Sequence, residues 1–175
     1  MKLLDVPQVR QSFDYDCGAK VLEAVLVYYG ISAREDKIFR ETGTSKAGTS
    51  PKKIQNVAKK NGLECTAKSM TIDELKTFID KKIPVILALQ AWSDKKNIDW
   101  ETDWKDGHYV LAIGYDKDKI YFEDPANFVL TYLTYDELED RWHDKSVNGK
   151  KYLQLGIAIY GAKPKFSGEK IIHMK

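Results

Sequence analysis

The sequence predicts an α+β fold in which helices come first and an antiparallel sheet second. Two observations carry this expectation: helical periodicity with capping signals fills the first half, and short runs rich in Val, Ile and Tyr fill the second. A third bounds it, since 175 residues with 43% hydrophobic and 31% charged side chains suit one globular unit, read as a single domain over 1–175.

After the apolar lead "LLDVP", Val21, Leu22, Val25, Tyr28 and Tyr29 mark the buried face of a helix, with Lys20 and Glu23 outside it. Gly30 stops that helix, and Asp16 is placed to cap its first turn. A short helix over about 34–42 follows, then "TGTSKAGTS", which composition marks as a flexible loop. Ser50-Pro51 opens the next helix and Asn61-Gly62 closes it, because Ser caps and Pro is preorganised for the first position. Residues 63–69 read as a strand. Thr71 and Glu74 form a capping-box pattern for a helix reaching about Lys82.

The second half holds the strand candidates 84–91, 108–115, 119–124, 129–133 and 153–161. A turn at Lys117-Asp118 would join the second and third as a hairpin, and Thr134 with Glu137 starts a helix over 134–142. Between the first two strands lies "WSDKKNIDWETDWKDG" (92–107), a long connection of the kind that is often functional.

Several function classes fall away on composition. Lys plus Arg (28) nearly balances Asp plus Glu (26), and a net charge of +2 offers no electrostatic footprint for nucleic acid. No stretch approaches the ~18 apolar residues of a membrane span, and Asp5, Pro7 and Arg10 interrupt the N-terminus where an export signal would need an apolar core. The expectation is a cytoplasmic protein without a membrane segment, whose two cysteines, Cys17 and Cys65, stay reduced. Neither the scattered histidines with these cysteines nor "GTSKAGTS" matches a zinc-ligand or phosphate-loop spacing, so no metal and no cofactor is expected.

Nucleophilic cysteine chemistry needs a thiolate, a base that can return the proton, a group that orients the base, and oxyanion donors. Cys17, at a helix start where the dipole favours a thiolate, is one candidate for the first. His108 begins a strand and Asp124 ends the next, at the same end of their hairpin. A plain two-residue turn would set Asp124 opposite Leu111, on the wrong face, so a catalytic His108/Asp124 pair requires a longer turn or a bulge. Cysteine is among the most buried residue types, and alone Cys17 would read as core; its company changes that reading. Cys65, without such company, reads as structural, as do His143 at a helix end and His173 in a tail.

Together "QSFDYDCGA", "YYG", "GHYVLAIGY" and Asp124-Pro125 resemble the papain-like cysteine peptidases of the bacteriocin-processing type, which cleave double-glycine leader peptides in peptide exporters. The resemblance implies a papain-like fold with the nucleophile helix packed on the sheet. It also implies Cys17 as nucleophile, His108 as base and then acid, Asp124 as the orienter of His108, and Gln11 as oxyanion donor beside the Cys17 N–H. Trp92, Trp104 and Gly107, in the loop leading to His108, are candidate substrate-binding residues. A peptide or a small amide is the expected substrate. The same four residues would serve an acyltransferase or amidase, and a cleft that holds peptides without cutting them is the non-enzymatic alternative.

Overall fold

Why the helices form where they do is visible at their ends. A computed structural model describes residues 1–175. Strand β1 (Lys2–Leu3) leads into helix α1 (Cys17–Tyr28), which stops where Gly30 adopts φ +76°, a left-handed conformation that glycine takes without strain. Helix α2 (Glu35–Thr42) ends at Gly43 in the same region. For α3 (Pro51–Lys60), the Ser50 side chain accepts from Lys53 N at 3.3 Å. After β2 (Glu64–Ser69), the expected capping box of Thr71 and Glu74 opens α4 (Ile72–Asp80) with both reciprocal bonds made.

The sheet strands follow as β3 (Val85–Gln90), β4 (Gly107–Tyr115), β5 (Lys119–Glu123) and β6 (Thr131–Thr134), then α5 (Tyr135–Arg141), again opened by a complete capping box of Thr134 and Glu137. A short hairpin of β7 (His143–Lys145) and β8 (Lys151–Leu153) precedes β9 (Leu155–Tyr160). The main sheet is antiparallel in the order β2-β9-β3-β4-β5-β6, with β1 paired to the far end of β4. Helices α1 and α3 cover one face through a core that includes Val21, Leu22, Val25, Ile54, Ile86, Leu111 and Ile157. The opposite face, with Leu87, Val110, Phe122 and Ala158, packs against Leu75, Leu138 and Trp142. Burial on both faces explains why β3 is an unbroken apolar run rather than an alternating one.

Four expectations are corrected. Asp16 does not cap α1: its carboxylate turns back to accept from Ser12 N at 3.0 Å and Phe13 N at 3.1 Å, so it shapes the loop before the helix. Lys20 is not on the solvent side of α1; it is only 7% exposed, its ammonium held by Glu23 at 2.9 Å and Glu35 at 3.2 Å. The "TGTSKAGTS" loop is tied down by a chain of hydroxyls, Thr42 to Thr44 to Thr49, each link 2.7 Å. His143 begins β7 instead of ending a helix. It is buried, with Nε2 at 2.6 Å from the Asp103 carbonyl. The β7–β8 hairpin and β1 were not visible in the sequence because strands of two or three residues carry no usable periodicity.

Candidate active site

The hairpin of β4 and β5 shows the register shift that a His108/Asp124 pair requires. A tight turn sets Tyr115 opposite Ile120 and Gly114 opposite Tyr121, after which the register slips so that Ala112 faces Phe122 and Leu111 faces Glu123. The extra residue, Ile113, is paid out at a bulge, and its carbonyl accepts from Leu4 N at 2.8 Å. Continued one step, the shifted register brings Asp124 to the level of Val110, on the face that His108 shares.

The two side chains meet. His108 Nε2 lies 2.7 Å from Asp124 Oδ1, and both residues are buried, at 7% and 1% exposure. A carboxylate only accepts, so Nε2 donates and Nδ1 is left for the other neighbour of the ring. That neighbour is Cys17, close enough for its side chain to act on the charge of the imidazole. Burial alone would push the His108 pKa down; the bond to Asp124 and the influence of Cys17 outweigh it and raise the value to about 9. Asp124 is likewise pushed up by burial, yet the bonds it accepts, led by His108, hold its carboxyl below the ordinary aspartate value.

Asp124 is held from several sides. Its Oδ1 also accepts from Ala126 N at 2.9 Å, and its Oδ2 from the Trp92 indole Nε1 at 2.8 Å, with Asn127 Nδ2 and Thr131 Oγ1 at 3.4 Å. Trp92 thus has a role that sequence reading did not assign. It reaches the acid from a backbone at φ +58°, unusual for an aromatic residue, while its ring stays 57% exposed.

Cys17 is the first residue of α1 and 8% exposed, at the end where backbone N–H groups lack intrahelical partners. Gly18 behind it has a packing reason: a Cβ there would meet Thr49 Cβ and Tyr109 Cδ2, each at 2.9 Å. The Tyr109 hydroxyl donates to the Thr49 carbonyl at 3.0 Å, which locks the hydroxyl-tied loop against the strand carrying His108.

Gln11 lies on a loop pinned at both ends. Its backbone N donates to the Pro125 carbonyl at 2.9 Å, Val9 N donates to Glu123 Oε1 at 2.8 Å, and Asp16 holds Ser12 and Phe13 as described. One Gln11 Nε2 hydrogen goes to the Phe13 carbonyl at 2.8 Å, leaving the second free. Buried Glu123, also bonded by Arg10 Nη1 at 3.2 Å, is a second residue missed by sequence reading: it joins the Gln11 loop to the strand that delivers Asp124.

Gly107 sits exposed at the start of β4. The Trp104 ring packs on His143 at 4.4 Å between centroids and beneath the Lys151 ammonium at 4.8 Å. Trp100 lies under the Arg141 guanidinium at 4.1 Å. The base of the 92–107 loop is fastened by Gln90, fully buried at the end of β3, whose Oε1 accepts from Asp106 N at 2.8 Å and whose Nε2 donates to the His143 carbonyl at 3.0 Å. Polar Gln90 after five apolar residues is the signal in the sequence that could have marked it.

A helix-borne thiol facing an imidazole and carboxylate on an antiparallel sheet defines the papain-like class of cysteine peptidases. The model of the Peptidase C39 family matches residues 5–151, and the chain belongs to that family. It is a cysteine peptidase. Its fold is similar to that of a C39-like peptidase from Bacillus anthracis (TM-score 0.70, 20% identity, covering 94% of this chain and 100% of the other). It is similar as well to a double glycine motif protease from an AMS/PCAT transporter, solved in complex with the leader peptide (TM-score 0.66, 19% identity, covering 93% and 94%). A third likeness is to the peptidase domain of Streptococcus ComA, a bifunctional ABC transporter involved in a quorum-sensing pathway (TM-score 0.65, 21% identity, covering 91% and 98%). No curated protein matches the chain.

Proposed function

We propose that Cys17, His108, Asp124 and Gln11 carry the peptidase reaction and that the substrate is a leader-type peptide cut after a double glycine. The observation that carries the assignment of residues is the His108 Nε2–Asp124 Oδ1 contact of 2.7 Å, with Cys17 near enough to act on the charge of the same ring. An imidazole raised to about 9 is protonated at neutral pH and holds a proton for the departing amine.

The steps follow from that placement. Cys17 Sγ attacks the scissile carbonyl carbon, and the electron pair of the carbonyl moves to oxygen, where the Cys17 N–H and the free Gln11 Nε2 hydrogen receive it. The C–N bond breaks as His108 gives its Nδ1 proton to the departing amine. Neutral His108 then takes a proton from water, the hydroxyl adds to the acyl-thioester, and Cys17 leaves as thiolate. Asp124 keeps the ring oriented throughout, with Trp92 and Ala126 keeping Asp124 oriented. The substrate assignment is supported by the likeness to a double glycine motif protease. Two free cysteines suit a reducing compartment, and we place the enzyme in the cytoplasm on that ground. No helix is long and apolar enough to cross a membrane.

Alkylation of Cys17 by iodoacetamide across pH tests the assignment. The expected result is rapid labelling that slows in His108→Ala. Labelling indifferent to His108→Ala overturns it. Cleavage of a double-glycine leader peptide, compared with the same peptide carrying alanine at both glycines, tests the substrate; equal rates would remove the leader reading.

A further inference from the structure

We propose that Asp144 is a specificity-determining residue of this site, whose carboxylate receives a cationic group of the substrate, a lysine or arginine side chain close to the scissile bond. This goes beyond the peptidase assignment and rests on it.

Asp144 stands in β7, far in sequence from the reacting residues, yet its carboxylate lies directly over Gly107, the residue before His108. A Cβ at position 107 would stand 2.9 Å from Asp144 Oδ2 and closer still to Oδ1, so the absence of a side chain at 107 is what admits the acid. Successive strand residues alternate between faces, so Gly107 shares its face with Tyr109, which packs against Gly18 beside Cys17. The Asp144 carboxylate is also near enough to Tyr109 and to His108 for the charges to be felt.

The acid is held but not neutralised. Oδ1 accepts from Lys145 N at 2.8 Å and from Gln90 Nε2 at 3.2 Å, and Gln90 is itself fixed in the core. Oδ2 accepts no hydrogen bond, and no lysine or arginine of the chain is ion-paired to Asp144. Burial lifts its pKa to about 6 against the smaller help of those two bonds and of His143 and His108. The residue is partly, not fully, enclosed, and Gly107 beneath it is exposed, so a ligand can reach the free oxygen. A half-buried carboxylate with one fixed and one open oxygen, and no cation of its own, is complementary to a cation delivered by the substrate.

The test uses one peptide that the enzyme cleaves, with lysine, norleucine or glutamate scanned through the two positions after the cut and the two before the double glycine, measured on the full chain, on Asp144→Asn and on Asp144→Lys. At one position, lysine should exceed norleucine in kcat/KM by about tenfold, the scale of a hydrogen bond to a charged group. That ratio should fall to about one in Asp144→Asn, and glutamate should become the preferred residue there in Asp144→Lys. Asparagine keeps the Oδ1 acceptor, and a thermal melt matching the parent establishes that the fold is kept. Ratios near one throughout, or a lysine preference that survives in Asp144→Asn, overturn the proposal while leaving the peptidase assignment intact. Absence of any cleavage above a Cys17→Ser control overturns both.

Discussion

At the scale of single residues, the proposed catalytic pair depends on how firmly one carboxylate is held. His108 reaches about 9 only because Asp124 and Cys17 outweigh the cost of burial, so the alkaline limb of kcat/KM is expected near pH 9, where the imidazolium is lost. In Asp124→Asn that limb should move down toward the ordinary histidine value of 6.5, and a limb unmoved by the substitution would contradict the proposed role. Trp92→Phe keeps the ring but deletes the indole N–H that reaches Asp124 Oδ2 at 2.8 Å. Loss of a hydrogen bond to a charged group is worth about 1.5–3 kcal/mol, so kcat should drop by about tenfold or more. A substrate-wall role alone would instead raise KM and leave kcat unchanged. Sequence reading singled out Trp92 as a cleft residue but could not see its bond to Asp124, because the two are joined only by folding.

At the scale of elements, α1 must bring its first residue close to β4, and Gly18 is where that closeness is set. Thr49 and Tyr109 both occupy the space a side chain would need. Gly18→Ala should therefore cost stability, by about 1–3 kcal/mol as for other overpacked sites, despite alanine's better helix propensity. Urea unfolding measures this, and a variant as stable as its parent would show that the contact yields freely. The helix boundaries were largely legible: Ser50-Pro51, Thr71 with Glu74, and Thr134 with Glu137 all act locally, through side chains that bond backbone within three residues. Asp16 was misread for the same reason inverted. Its carboxylate had two local choices, and the loop carrying Gln11 took it in place of the helix.

For the whole molecule, buried titratable groups make stability depend on pH in three windows. His108 has a folded pKa above its unfolded 6.5, so its contribution is complete below about pH 6.5 and is lost as pH rises through about 9. Asp144 is also raised, from 3.8 to about 6, and favours the folded state in acid, an advantage lost as pH climbs from about 4 through 6. Asp124 is depressed and acts in the opposite sense: its contribution is present above 3.8 and lost as pH falls through its folded value. Unfolding free energy measured against pH should thus fall in two steps on the alkaline side of about pH 4. Asp144→Asn should remove the first step, about 3 kcal/mol, and leave the second. A curve that keeps both steps would show that Asp144 titrates normally in the folded state.

By itself the sequence determined the order of the main helices and longer strands, a cysteine at a helix start, and the need for an irregular hairpin if His108 and Asp124 were to meet. These are consequences of short-range rules, namely capping, periodicity and the two-residue repeat of a strand, which act along the chain and can be read from it. The bulge at Ile113 is the instructive case, since the requirement for it was legible while its position was not. Tertiary structure alone decided that Lys20 is buried among acids, that Trp104 leans on His143, and that Gln90 and Asp144 converge on Gly107. Each of those contacts joins side chains from different elements, and what an atom touches across such a gap depends on packing that no local pattern encodes.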